Sequence, residues 1–523
     1  MKRIFFVLTL IVSCSSLFAQ EPADALRYSW YAPGGSARQQ AVGGAMASLG
    51  GDISSIYVNP AGLGFYKTGD FVLSPGFNLS NNKSTYYGRT EKDKKNSFSF
   101  GTSGLVIAGP SDPDRKGRTG SGAFALAINR TANFNSRVLY RGLNTQSSYS
   151  QKFLEELKNN NVTTDAAASD YPFGSSLAIN TFWIDTANGW NAGNKTFKSL
   201  ATPLLGTGGL LQEQQITNSG GITELALAFA GNKRDKLYWG VTMGIPLLNY
   251  SKESVFTEAD PTNNTANNFD FASITENLNT KGTGFNLKAG LIYKPVEYVR
   301  LGLAIHTPTF YHLTDRYNAS VTTNTESYQG SYTQSSDLFT DGQDGSFSYW
   351  MMSPYRVMIS GSYVLREIED VRKQKGFLTA DIEYVNYKAS SYTSDPGDGG
   401  LGNNNNSAAD EYFKSLNKAI DNNYKGALNF KVGGELKFTT LMTRLGFAYY
   451  GNPYKDLAGA KGNRLLLSGG LGYRNKGMYI DLTYVHNMTK DVNYAYRLQN
   501  SPFAPANIKS TTGNAILTVG FKI

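Results

Sequence analysis

The scarcest reactive groups in this chain of 523 residues are three histidines and one cysteine, and their placement argues against catalysis. His306, His312 and His486 do not stand at metal-ligand spacing from other ligands. A hydrolase needs a nucleophile held by a base, and His306 has no sequence-marked serine or aspartate partner. Cys14 falls in a segment that reads as a leader, so the mature protein is expected to carry no disulfide, no thiol chemistry and no cysteine-based metal site. The expectation is a protein that is not an enzyme and needs no metal and no cofactor.

Binding chemistry is better represented. Lys288, Arg300, Asp381, Glu383, Lys431, Glu435, Lys437 and Asp481 all fall on the polar side of alternating segments. Lys288, Arg300 or Lys431 could neutralise the anionic head of a ligand in a low-dielectric pocket, where charge pairs strengthen. The same charges could instead pair with one another across neighbouring segments. Apolar groups cluster in one long connector, 132–220. Ser148–Asn160 reads as an amphipathic helix with Phe153, Leu154 and Leu157 on one side, followed by Leu177, Phe182, Trp183, Ile184, Leu204, Leu205, Leu210 and Leu211. Apolar clusters in a long loop suit ligand capture, or they form a small core that holds the loop together. Ser407–Asp421, with Tyr412, Phe413, Leu416 and Ile420, is a second loop helix open to the same two readings, and Asn403–Asn406 before it is a polar tract.

What must position these residues is a rhythm. From Asp70 onward the chain divides into about fourteen alternating segments of roughly 10–12 residues, the length a tilted strand needs to cross a bilayer. Leu428, Phe430, Val432, Leu436 and Phe438 share one face of a strand, and Asn429, Lys431, Glu435 and Lys437 share the other. Met478, Ile480, Leu482 and Tyr484 oppose Tyr479, Asp481 and Thr483 in the same way. Long polar connectors, chiefly 132–220, 251–281, 311–352 and 389–425, alternate with tight ones such as 232–236, 295–297, 439–440 and 475–476; 109–120 is the long exception among the latter. An even strand count with long loops on one side and short turns on the other predicts an all-β fold, a 14-stranded antiparallel transmembrane β-barrel.

Composition agrees. Gly 55 and Tyr 33 suit turns, a crowded lumen and interfacial aromatic girdles. No mature segment carries ~18 uninterrupted apolar residues, which excludes a helical membrane protein. The net charge of +9 comes without a basic run, so nucleic-acid binding is not expected. Lys2 and Arg3, the apolar run Ile4–Val12 and a cleavage point after Ala19 read as a secretory signal; Ile11-Val12-Ser13-Cys14 is the rival lipobox reading. The chain ends inside an alternating segment, with Leu517, Val519, Phe521 and Ile523 on one face, as a last strand closing against the first requires. The expected domains are residues 1–19 as signal peptide, 20–69 as an N-terminal hatch, and 70–523 as the barrel, both termini periplasmic.

Residues 21–69 do not alternate. Ala41, Val42, Ala45, Met46 and Leu49 fall at helical spacing after Ser36, a candidate N-cap, and Asn59-Pro60 starts a turn. A short helix of small residues and a fixed turn before the first strand fit a plug in a narrow lumen. Gly43-Gly44-Ala45, then Asp52, then Asn59-Pro60-Ala61-Gly62-Leu63 resembles the FadL family of outer-membrane transporters. Gly282-Thr283-Gly284-Phe285-Asn286-Leu287 and Leu291-Ile292-Tyr293-Lys294-Pro295 look like that family's strand-turn-strand centre. The resemblance implies a hatch inside a monomeric barrel in the Gram-negative outer membrane. It implies capture of long-chain fatty acids or aromatic hydrocarbons by extracellular loops, and sideways exit near a kinked third strand. On this register Ala123-Phe124-Ala125-Leu126-Ala127-Ile128-Asn129 is that strand, its three lumenal alanines leaving room for an opening or for a closely packed plug. The alternative function is a non-transporting barrel that binds another protein in secretion, since fold does not dictate function.

Overall fold

Strict alternation of apolar and polar side chains in segment after segment gives each strand one face for lipid and one for the lumen. The computed structural model describes residues 22–30, 34–110, 120–365, 374–395, 407–455 and 462–523. The leader, its cleavage point, Cys14, residues 111–119 and Asn403–Asn406 lie outside them. The strands are β1 (Asp70–Leu73 and Pro75–Tyr86), β2 (Arg89–Phe100 and Ser103–Pro110), β3 (Ser121–Asn133 and Ser136–Asn144), β4 (Leu210–Lys233), β5 (Leu237–Ala259), β6 (Phe271–Val296) and β7 (Val299–His306 and Phe310–Asn324). They continue as β8 (Gly345–Met352 and Arg356–Leu365), β9 (Gly376–Asn386 and Ser391–Ser394), β10 (Gly426–Phe438), β11 (Leu441–Tyr450), β12 (Arg464–Asn475), β13 (Met478–Asn493) and β14 (Ala506–Lys522). Each pairs antiparallel with its neighbours, and β14 closes on β1 with Asp70 opposite Lys522 and Phe77 opposite Ala515. The result is a closed 14-stranded antiparallel barrel.

The outer face carries an apolar belt. Leu428, Phe430, Val432, Leu436 and Phe438 of β10 are exposed while Asn429, Lys431 and Glu435 are buried inside, and Ile480, Leu482 and Tyr484 of β13 oppose buried Asp481 and Thr483 in the same way. Closed pairing leaves no backbone edge at the barrel's short-turn half, which is what allows strands to cross lipid.

The ladder runs farther than the hydropathy pattern. Instead of a connector at 132–220, β3 runs to Asn144 and β4 begins at Leu210; β5 reaches Ala259 and β6 begins at Phe271; β7 reaches Asn324 and β8 begins at Gly345. Beyond the belt the outer face need not be apolar, so the period-two signal fades while the pairing continues. Leu210–Gly220 of β4, with Gln212, Glu213, Gln214 and Gln215 in succession, is an example.

Inside the barrel the N-terminal segment forms α1 (Pro22–Ser29), α2 (Ala37–Ala41), α3 (Ser55–Val58) and a 3-10 turn at Pro60–Phe65. Ser36 caps α2, its hydroxyl accepting from the Gln39 N–H. Asn59 caps the 3-10 turn, its Oδ1 accepting from the Ala61 N–H at 3.1 Å, and Pro60 supplies the fixed φ at the first position. Ile523 lies at the short-turn rim, bonded to Gly69. Pro22 does not: its carbonyl accepts from Tyr424 Oη at 2.9 Å, at the long-loop end of β10. Among the described residues the N-terminal segment therefore begins near the long-loop rim, and the last strand ends at the short-turn rim. α1 needs apolar partners for Ala25, Leu26 and Tyr28, and it finds them in the upper lumen among Tyr250, Leu313, Tyr349, Phe413 and Leu416.

Candidate functional site

The hatch is fixed residue by residue. Asn59 Nδ2 donates to the carbonyls of Ala47 at 2.6 Å, Leu291 at 3.2 Å and Leu303 at 3.3 Å, tying the turn to both β6 and β7. The N–H groups of Met46 and Ala47 donate to Asp381 Oδ2 at 3.0 and 3.2 Å. Asp52 accepts from Ser36 Oγ and from the Ser54 N–H, all at 2.9 Å, which fastens α2 to the loop before α3. Gly43, with φ +68, takes the turn after α2 in a conformation that L side chains rarely adopt. Strand glycines form the matching niches. A Cβ at Gly290 would lie 1.8 Å from Asn59 Oδ1, and one at Gly302 would lie 2.4 Å from the Ala47 carbonyl.

The three alanines of β3 face three of β4 across the ladder: Ala123 opposite Ala230, Ala125 opposite Ala228, Ala127 opposite Ala226. The space they leave is filled by Ile53, Ile56, Tyr57 and Leu63 of the hatch. Of the two readings of this strand, its small residues accommodate a closely packed plug.

The wall itself is interrupted beside that plug. β1 breaks at Ser74, β2 at Gly101–Thr102, and β3 shifts register against β4 between Arg130 and Ala132. Ser103–Pro110 of β2 pairs with Ser121–Ile128 of β3, but above this level no ladder among the described residues joins Arg89–Phe100 to β3. Side chains bridge the gap instead: Lys95 Nζ to the Asn218 carbonyl at 2.6 Å, Asn133 Nδ2 to Ser97 Oγ at 3.3 Å, and Asn82 Nδ2 to the Arg137 carbonyl at 2.5 Å. Hatch residues sit against the foot of this seam. A Cβ at Gly34 would be 2.5 Å from the Arg130 carbonyl, and one at Gly101 would be 2.3 Å from the Gly35 carbonyl. Ala37 N–H donates to Thr518 Oγ1 at 2.8 Å, and Thr518 Oγ1 in turn lies 2.8 Å from Ser74 Oγ. Outside, the seam's lower end is flanked by exposed Phe98 and Phe100 on β2 and Leu126 and Ile128 on β3. The sequence held no proline in β3 and no glycine between Ala123 and Arg141 to mark a kink. The signal lay in the neighbouring strands, at Gly101 and at Gly220-Gly221, where Gly220 has φ +92.

The candidate cations are engaged. Lys288 contacts Glu224 and donates to Asn286 Oδ1 at 2.7 Å. Arg300 Nη1 donates to the Leu49 carbonyl at 2.7 Å and its guanidinium lies 4.8 Å from the Phe65 ring. Lys431 pairs with Glu383 at 2.7 Å. Arg444 bridges Glu435 and Asp481, both at 2.6 Å. Wall pairing thus engages Lys288, Lys431, Glu383, Glu435 and Asp481, and the hatch engages Arg300 and Asp381. His306 Nε2 lies 2.9 Å from the Val58 carbonyl, and His312 Nε2 lies 2.7 Å from Asp395 Oδ2. No group of three metal-ligating side chains occurs among the described residues.

The loop cluster closes on itself. Phe153, Leu157, Leu177, Trp183, Ile184 and Leu204 are buried together with Phe256, Ile274 and Val321 of the strand extensions, and Leu154 and Leu205 pack at the margin. These residues face one another rather than lining an open groove. Phe182, φ +60, turns away and packs on Tyr332 with ring centroids 5.2 Å apart. Beneath Trp183 lies buried Glu258. It accepts from Ser148 Oγ at 2.5 Å, Trp183 Nε1 at 2.9 Å, the Tyr149 N–H at 3.0 Å and Gln212 Nε2 at 3.1 Å. Burial raises its carboxyl above the usual range, and these four hydrogen bonds pull the other way. In sequence the residue sat in a polar connector with nothing to mark it.

No protein-family model and no curated protein matches the chain. Among solved structures it is similar to a FadL homologue of Pseudomonas aeruginosa, at 12% identity over 94% of this chain and 99% of that one, with a TM-score of 0.53. It is also similar to the toluene transporter TodX of P. putida, at 12% identity over 94% and 99% with a TM-score of 0.48, and to the toluene transporter TbuX of Ralstonia pickettii, at 14% identity over 94% and 98% with a TM-score of 0.48. What the first of these likenesses establishes is a common fold.

Proposed function

We propose that this chain, which has the FadL-type barrel fold, is an outer-membrane channel for apolar small molecules such as long-chain fatty acids or aromatic hydrocarbons. In this reading the hatch is the gate, the long loops face outside, the C-terminus is periplasmic, and the seam between β2 and β3 is the side exit. A barrel that closes on itself needs no second copy, which favours a monomer. The observation that carries the reading is the seam. A closed barrel satisfies its backbone with its neighbours, yet here one interval is bridged by side chains, at belt height, with Gly34 and Gly35 seated against its foot. Movement of those two residues would join the lumen to the lipid between Phe98 and Ile128. A protein-binding role is the second reading, favoured by the free backbone edge of Arg89–Phe100, which could accept an added strand.

The test pins the hatch. Ala37→Cys with Thr518→Cys places thiols where a hatch N–H now meets the wall. Oxidised, the double variant should take up an apolar probe about tenfold more slowly than when reduced, as a locked gate requires; heat-modifiable gel mobility checks that the barrel is folded. Equal uptake in both redox states of a cross-linked, folded barrel removes the hatch from the path.

A further inference from the structure

The outer face carries a row of charge that the channel does not use. Lys490 on β13 stands directly opposite Lys509 on β14, Lys509 opposite Lys83 on β1, and Lys83 opposite Lys92 on β2. All four side chains are exposed and point outward, on the same faces as Met488, Leu517, Phe77 and Phe98. None pairs with a carboxylate among the described residues. Asp491, Asp93 and Glu91, the nearest acids in sequence, belong to the opposite face of their strands. Like charges placed directly opposite on neighbouring strands oppose pairing, so four in one row, ~14 Å across at strand spacing, are an arrangement that asks for anions.

Height says which anions. Twelve residues separate Phe71, at the foot of the belt, from Lys83. At ~3.3 Å per residue and a tilt near 45° that is a rise of about 28 Å, just above an apolar band roughly 25 Å tall. The row therefore stands in the headgroup layer on the long-loop side. At its β13–β14 end is a surface recess of about 490 Å³ lined by Leu465 and Met488, by Lys490 and Lys509, and by the polar residues Asn463, Thr489, Ser510 and Thr511. Apolar side chains beside ammonium groups match an acyl chain and a phosphate on one molecule.

We propose that this row, β13-β14-β1-β2, binds a phosphorylated lipid of the outer leaflet, its phosphates on Lys490, Lys509, Lys83 and Lys92 and an acyl chain in the recess. Lysine serves as a point-charge ligand for phosphate. The proposal takes from the preceding reading only that the long-loop rim faces outside. It takes nothing about cargo, so a barrel that transports nothing can still pass the test, and a transporting one can fail it.

Purified barrel in neutral detergent is mixed with a diphosphorylated glycolipid, or with phosphatidylcholine, and the lipid phosphorus retained per barrel is measured after size exclusion. The native chain should retain the glycolipid and not the zwitterionic lipid. The variant Lys83→Gln, Lys92→Gln, Lys490→Gln, Lys509→Gln should lose at least fivefold, and arginine at the same four positions should restore retention. Lys233→Gln with Lys236→Gln, at the opposite rim, should change nothing. If the quadruple variant fails the gel-mobility check for folding, Lys490→Gln with Lys509→Gln serves in its place. Equal retention by the folded glutamine variant overturns the proposal. So does equal retention of the zwitterionic lipid, or displacement by equimolar inorganic phosphate, which would make this a free-phosphate site.

Discussion

Asn59 shows how much one side chain can fix. Its amide ties the hatch turn to Ala47, β6 and β7, and its carbonyl oxygen caps the turn that Pro60 begins. The Asn-Pro pair announced a turn from sequence because both residues constrain the backbone locally. The niche that receives it did not, because Gly290 and Gly302 become partners of Asn59 and Ala47 only through the register of strands more than 230 residues away. Asn59→Ala leaves buried carbonyls without their donor, at a cost of about 2–3 kcal/mol to the local fold. Amide exchange over the hatch should accelerate about thirtyfold or more, while the exchange of β10–β13 amides stays unchanged. Gly290→Ala should do the same by steric exclusion. Unaltered hatch exchange in both variants would mean that the hatch is held elsewhere.

At the scale of elements, the strands that face lipid were readable and the loops were not. A lipid-facing strand must alternate, so β10 and β13 could be assigned side chain by side chain. The extensions of β4 to β7 above the belt answer to no such demand. The apolar loop residues fitted a capture groove or a packed core equally well on sequence, because hydrophobicity does not say what a side chain will meet. The structure buries Trp183 against Phe153, Tyr149 and Glu258. Trp183→Ala should therefore cost the loop about 3–5 kcal/mol and open 145–209 to protease, with barrel mobility on gels unchanged. The same core gives the loop a pH dependence. The folded state raises the Glu258 pKa above its unfolded value, so this carboxyl's contribution is fully present below the unfolded pKa and is lost as pH rises through the folded one. Cleavage within 145–209, corrected for the protease's own pH profile, should be slower at acid than at neutral pH, and Glu258→Gln should flatten the difference.

The whole molecule is a closed wall with a separately seated plug, and the two draw on different forces. The wall's strands pair around the circuit except along the β2–β3 seam, from Asp70–Lys522 back to β1–β2, and this pairing satisfies most of the backbone in lipid without help from the lumen. The hatch contributes packing of Ile53, Ile56, Tyr57 and Leu63 on an alanine ladder, and hydrogen bonds to Asp381, Thr518 and the strand carbonyls. Deleting residues 21–60 while keeping β1 removes those contacts apart from Leu63's and leaves Asp381, Arg300 and Glu435 facing the lumen. Water entering the vacated space solvates these groups, so they do not become buried unpaired charges of the kind that unfold proteins. The deleted barrel should therefore still show heat-modifiable mobility. Its lumen should now pass ions: in planar bilayers the shortened chain should conduct severalfold more than the intact one, in which the hatch spans the lumen from β3–β4 to β10–β12. Equal conductance in the two forms would mean that residues 21–60 do not close the pore, and it would undercut the gate as well as the plug.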